Sequence, residues 1–102
     1  MSNHHQKFYI GGAWVDPLIP ATLDVINPAT EQVIGQISLG NSAEVDGAVA
    51  AANKAFATYS ETNVRDRIAL LRKIIEVYKS KSEEMAQTIC SEMGAPLTWI
   101  AQ

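Results

Sequence analysis

A chain of 102 residues is large enough for at most one small domain. Its 47% apolar fraction is that of a globular protein and sets it apart from disordered chains. A formal charge of −3 argues against a nucleic-acid binder, which normally presents a basic face. Uninterrupted apolar stretches are only a few residues long, such as Ile74-Ile75, so no transmembrane helix is expected. The polar start Met1–Lys7 leads into no apolar run of signal-peptide length. Together with a single cysteine, Cys90, which suits a reducing compartment, this points to the cytoplasm.

Residues 1–7 read as a disordered N-terminus, and residues 8–102 as an ordered but incomplete domain. Phe8-Tyr9-Ile10 and Trp14-Val15 flank Gly11-Gly12, a dipeptide that takes the positive φ of a tight hairpin turn. Asp16-Pro17 and Pro20 close that region with a loop. A second extended run follows at Leu23–Ile26, then a turn at Asn27-Pro28-Ala29-Thr30. Val33–Leu39 forms the third strand, and the turn spacing makes strands two and three a hairpin.

Helical periodicity begins at Asn41-Ser42, either of which can cap, with Glu44 and Asp46 at the positive end of the helix dipole. Val45, Val49, Ala52 and Phe56 share one face, and the helix is expected to end near Thr58. A second helix spans Val64–Tyr78. Its stripe of Ile68, Leu71, Ile75 and Tyr78 is widened by Leu70, Ile74 and Val77, which predicts cover on more than one side. Ser80-Lys-Ser-Glu83 has the spacing of a capping box and predicts a break before a third helix. Met85, Ile89 and Met93 are its expected buried stripe, and Gly94 before Ala95-Pro96 its stop. Basic residues Arg65, Arg67, Arg72, Lys73, Lys79 and Lys81 are interleaved with Asp66, Glu76, Glu83 and Glu84, the pattern of a solvated helix face. Trp99-Ile100 followed by no polar tail reads as a truncation.

Few residues offer chemistry. Cys90 lies mid-helix with no histidine or basic neighbour to lower its pKa, so it reads as a structural thiol. His4 and His5 fall short of the three or four converging ligands a metal site needs. Asp16, Asp24, Glu31, Glu44 and Asp46 show no spacing that aims two carboxylates at one point. Gly11-Gly12, Gly35, Gly40 and Gly47 make no phosphate-cradling pattern between a strand and a helix.

Three phrases carry more. FYIGGAWVD, DVINPATEQVIGQI and SEMGAPL, separated by AEVDGAVAAANKAFATYS and VRDRIALLRKIIEVYKSK, stand in an order that resembles the N-terminal segment of the NAD(P)-dependent aldehyde dehydrogenases. The resemblance covers about Phe8 to Pro96. It implies an α/β or α+β piece, with short antiparallel β-hairpins followed by three helices, belonging to the cofactor-binding domain of that fold. Ala95 stands where the family's glutamate–x–glycine–lysine–proline phrase usually has lysine.

In the family a cysteine thiolate attacks the aldehyde, an asparagine and a backbone amide steady the oxyanion, and hydride passes to NAD or NADP. A glutamate then helps water release the acid from the thioester. The resemblance places none of those residues before Gln102, so no catalytic or nucleotide-binding residue is assigned and the chain alone is expected to bind no cofactor. Backbone carbonyls just before the Asn-Pro of the hairpin, matching Val25 and Ile26, are those through which several members hold a monovalent cation. The implied partners are the rest of a parent polypeptide, further copies in a homo-oligomer and, for the parent, an aldehyde. An alternative of another class is a small stand-alone interaction module that associates with itself or with a full-length relative.

Overall fold

The structure is a computed structural model and describes residues 4–100. Among them, by their contacts, the residues up to Val25 with Gly35–Glu61 form one unit, and Ile26–Ile34 with the residues from Thr62 onward form another.

In the first unit, β1 (Phe8–Ile10) and β2 (Ala13–Val15) make an antiparallel hairpin in which Phe8 faces Val15 and Ile10 faces Ala13. Gly11 and Gly12 both have positive φ, 62° and 83°, so the two-residue loop matches the right-handed twist of its strands. Gly11 also brings the turn against α1 (Ser42–Tyr59), since a methyl there would lie 3.8 Å from Cβ of Ala51.

The start of α1 is closed by reciprocal capping. Asn41 Oδ1 accepts the Glu44 N–H at 3.0 Å, and Glu44 Oε2 accepts the Asn41 N–H at 2.8 Å. The other oxygen of Glu44 accepts the Leu18 N–H at 2.6 Å, which ties the loop after β2 to the helix. Of the segment read as disordered, residues 1–3 lie outside the described residues. Residues 4–7 form a turn in which the Lys7 N–H donates to the His4 carbonyl and the His4 ring stacks on Trp14 at 4.4 Å.

β3 (Thr22–Asn27) and β4 (Gln32–Ser38) form the second two-stranded sheet, whose tip belongs to the second unit. Asn27 shapes the tip: its side chain accepts the Ala29 N–H at 2.9 Å and its carbonyl accepts the Glu31 N–H at 2.7 Å. Glu31 takes a φ of 59°.

Helix α2 (Val64–Ser80) begins at Asn63, whose side chain accepts the Asp66 N–H at 2.9 Å. α3 (Ser82–Met93) ends at Gly94 in the left-handed region, φ 70°, and the short α4 (Leu97–Ile100) follows. The expected capping box at Ser80–Glu83 does not form. Ser80 Oγ instead donates back to the Val77 carbonyl and Ser82 Oγ to that of Lys79, so Lys81 caps α3 without a side-chain bond. In that order of helices the serine hydroxyls find acceptors in the turn they close before they reach the next helix.

Burial departs most from expectation. Ala86, 6% exposed, is the one buried apolar residue among those described. Helices α1 and α2 bury no residue, so the described residues do not supply the cover predicted on more than one side of α2. Met85 and Met93 of the expected α3 stripe are exposed, Met93 at 67%, and Ile89 is half-buried. The periodicity placed these residues on shared faces correctly, but it cannot say what lies opposite a face.

Candidate functional site

Two of the three phrases that singled out this sequence meet at one point in the second unit. Gly94, at the end of α3, sits against Pro28 and Ala29 at the tip of the β3–β4 hairpin. A methyl at position 94 would stand 3.1 Å from the Ala29 nitrogen and 3.2 Å from Pro28 Cγ and Ala29 Cβ. Glycine is therefore required twice, for the left-handed φ and for the approach of the hairpin backbone. Sequence spacing found the helix stop but not the contact, because 65 residues separate Ala29 from Gly94.

Val25 and Ile26 lie inside β3, Val25 half-buried and Ile26 exposed. Regular strand geometry turns successive carbonyls to opposite edges, so one of the two faces β4 and the other the open edge of a two-stranded sheet. Among the described residues no group of three or more His, Cys, Asp or Glu gathers to hold a metal. Cys90 is free and half-buried on α3.

A cavity of about 520 Å³ in the first unit is lined by His5, Lys7, Asp16, Gln36 and Ser38 among others. It holds a serine, a histidine and an aspartate, which sequence spacing did not bring together. Their bonds run elsewhere. Ser38 Oγ donates to the Gln6 carbonyl at 2.7 Å and Asp16 pairs with Lys7 at 3.5 Å. Nucleophilic catalysis needs the serine bonded to the histidine and the histidine to the acid, and this cavity has neither link among the described residues. A second cavity of about 450 Å³, in the second unit, is lined by Tyr78, Ser82, Glu83, Met85, Ala86 and Ile89 among others, and its serine hydroxyl donates to the Lys79 carbonyl.

The residues present do not fit a dinucleotide. Pyrophosphate sits where a parallel strand passes through a glycine-rich turn into a free helix N-terminus. Both sheets here are two-stranded hairpins. The helix that follows a strand, α1, has the Glu44 carboxylate bonded over its first turn, where it repels an anion. No helix among the described residues is long and apolar enough to cross a membrane.

Comparison with known proteins agrees with the resemblance. The profile of the aldehyde dehydrogenase family matches residues 14–102. An aldehyde dehydrogenase from Bartonella henselae superposes with a TM-score of 0.92 at 45% identity, over 94% of this chain and 20% of that one. A mutant of aldehyde dehydrogenase C from Pseudomonas syringae, solved with NAD+ and octanal, superposes at 0.95 with 42% identity, over 99% and 21% of the two chains. An NAD-dependent benzaldehyde dehydrogenase from Corynebacterium glutamicum gives 0.87 at 27% identity, over 98% and 22%. The chain spans about a fifth of the length of the curated relatives it matches, 20% in the case of one from Staphylococcus aureus that is 46% identical over 94 residues. The hairpins, the helices and their order are those of these enzymes, and the chain belongs to the aldehyde dehydrogenase family.

Proposed function

We propose that this chain is the N-terminal segment of an enzyme that oxidises an aldehyde to a carboxylic acid with NAD(P)+, and that its own part is structural. The observation that carries the proposal is the superposition on aldehyde dehydrogenases, one of them holding NAD+ and an aldehyde, over nearly all of this chain but a fifth of theirs. The reaction needs a cysteine that forms a thiohemiacetal and then a thioester, with a nucleotide alongside. Cys90 is half-buried on α3 and no dinucleotide site is built by these residues, so both are assigned to the rest of the parent polypeptide. What the described residues supply is a scaffold: the β3–β4 tip seated on Gly94, and the loop at Leu18 tied to α1.

In the same reading the backbone carbonyls of Val25 and Ile26 belong to a monovalent cation site completed by the rest of the parent, a reading supported by β3 having an edge that β4 does not cover. Sodium or potassium beside that edge in a longer polypeptide supports this assignment; an empty edge at high salt contradicts it. The parent is placed in the cytoplasm as a homo-oligomer. Following NADH at 340 nm tests the activity: the 102-residue chain with aldehyde and NAD+ yields no NADH, whereas a polypeptide carrying this segment and its remainder does. Turnover by the short chain would overturn the division of labour, and an inactive long polypeptide would overturn the activity.

A further inference from the structure

Two histidines are too few for a metal site made of side chains, but at an amino terminus the backbone supplies ligands of its own. Met1 is followed by Ser2, Asn3 and His4. An initiator methionine that precedes a residue as small as serine is removed during synthesis, which leaves Ser2 first and His4 third. A free amine, the next two amide nitrogens and the Nδ1 atom of a histidine in third place close a series of small chelate rings in one plane. A square of nitrogens is the geometry that Cu(II) and Ni(II) prefer.

The structure gives that ring nitrogen no other task. Met1–Asn3 lie outside the described residues. The His4 ring stacks on Trp14, with centroids 4.4 Å apart and planes 15° from parallel. Its Nδ1 is closed off from solvent and has no hydrogen-bond partner among the described residues. Buried ring nitrogens are ordinarily partnered, so this one calls for a ligand. The turn that follows bonds through the His4 carbonyl, an atom the chelate leaves free. His5, by contrast, lines the cavity with Lys7 and Asp16.

We propose that Ser2, Asn3 and His4 bind one Cu(II) or Ni(II) ion in a square of four nitrogens, with the His4 ring held by Trp14. The site rests on the chain being an N-terminal segment, as proposed above, and lies apart from the oxidation of an aldehyde. The ion keeps its oxidation state. Binding displaces a proton from the terminal ammonium and one from each of the Asn3 and His4 amides, so it strengthens as pH rises. In a reducing compartment copper is Cu(I), which favours sulfur ligands, and Ni(II) is then the ion this set would take.

Trp99→Phe leaves Trp14 as the only tryptophan. Cu(II) added to that chain, prepared with Ser2 first, should bind one ion per chain, give the visible absorption of a square nitrogen site and quench Trp14 fluorescence. Ni(II) should compete for the same site. His4→Ala should abolish binding, Ser2→Glu should abolish it by keeping Met1 in place, and His5→Ala should leave it unchanged. No binding, binding without quenching, binding that survives His4→Ala or Ser2→Glu, or loss on His5→Ala would overturn the proposal. Sequencing the amino terminus of the cellular protein separates this site from the reading it rests on. An extended or blocked terminus would overturn the site and leave the dehydrogenase reading intact, whereas Ser2 found first and free supports the site whatever the longer polypeptide oxidises.

Discussion

The seat of the hairpin tip on Gly94 and the open face of α2 lie in the same unit and obey opposite rules. At the seat, one methyl group would meet backbone and side chain at 3.1–3.2 Å. Along α2, no residue is buried, and Leu70, Ile74 and Val77 remain as open as the stripe beside them. The seat is closed by the chain's own geometry. The face is apolar in composition yet exposed, the mark of an interaction surface.

That contrast can be broken by substitution. Gly94→Ala forces an alanine into the left-handed region and against Ala29, and should cost about 3 kcal/mol. Urea unfolding followed by circular dichroism would register the loss; an unchanged midpoint would show that the seat is not tight.

Glu44→Ala comes next, at about 1–2 kcal/mol, because it leaves the Asn41 and Leu18 N–H groups without their acceptor. The same unfolding experiment checks it, and retention of the first-turn helix signal would argue that Leu18 carries the larger share.

The smallest effect belongs to the open face. Leu71→Ser, in solutions dilute enough to hold the chain monomeric, should change stability by less than about 0.5 kcal/mol, since the side chain leaves no packed site. In a longer polypeptide carrying this segment the same change should cost about 2–5 kcal/mol, the range for emptying a packed core position. Equal effects in both contexts would remove the distinction between seat and face.

Much of the fold was legible because its signals are local. Gly11-Gly12 announced a hairpin turn, Asn41 and Glu44 a helix start, and Gly94 a helix stop, each through backbone chemistry within a few residues. The start of α3 was misread for the same reason in reverse: a capping-box spacing was present, but the serines of that stretch bonded backwards into α2. Burial was not legible at all. A periodic stripe such as Met85, Ile89 and Met93 records which residues share a face, and says nothing of what packs against it. The meeting of Pro28 with Gly94 and the stacking of His4 on Trp14 were likewise out of reach, being set by how the chain returns on itself.

Of the candidate site, the family phrases were readable and the chemistry was not. The assignment of the Val25 and Ile26 carbonyls to a cation came only from resemblance, since a strand residue carries no mark of what its carbonyl faces. The Ser38, His5 and Asp16 side chains lining the cavity of the first unit show the converse: residues that suit catalysis line one cavity, but the serine bonds the Gln6 carbonyl and the aspartate pairs with Lys7.

The central claim is that these residues are a structural segment of a larger aldehyde dehydrogenase. The mass of the cellular protein that carries this segment, captured with an antibody raised against residues 8–96, tests it most directly. The account predicts a species about five times heavier than 11.1 kDa, in keeping with relatives of which this chain spans 20%. A cellular species of 11.1 kDa would contradict it and make a small stand-alone interaction module the reading to pursue.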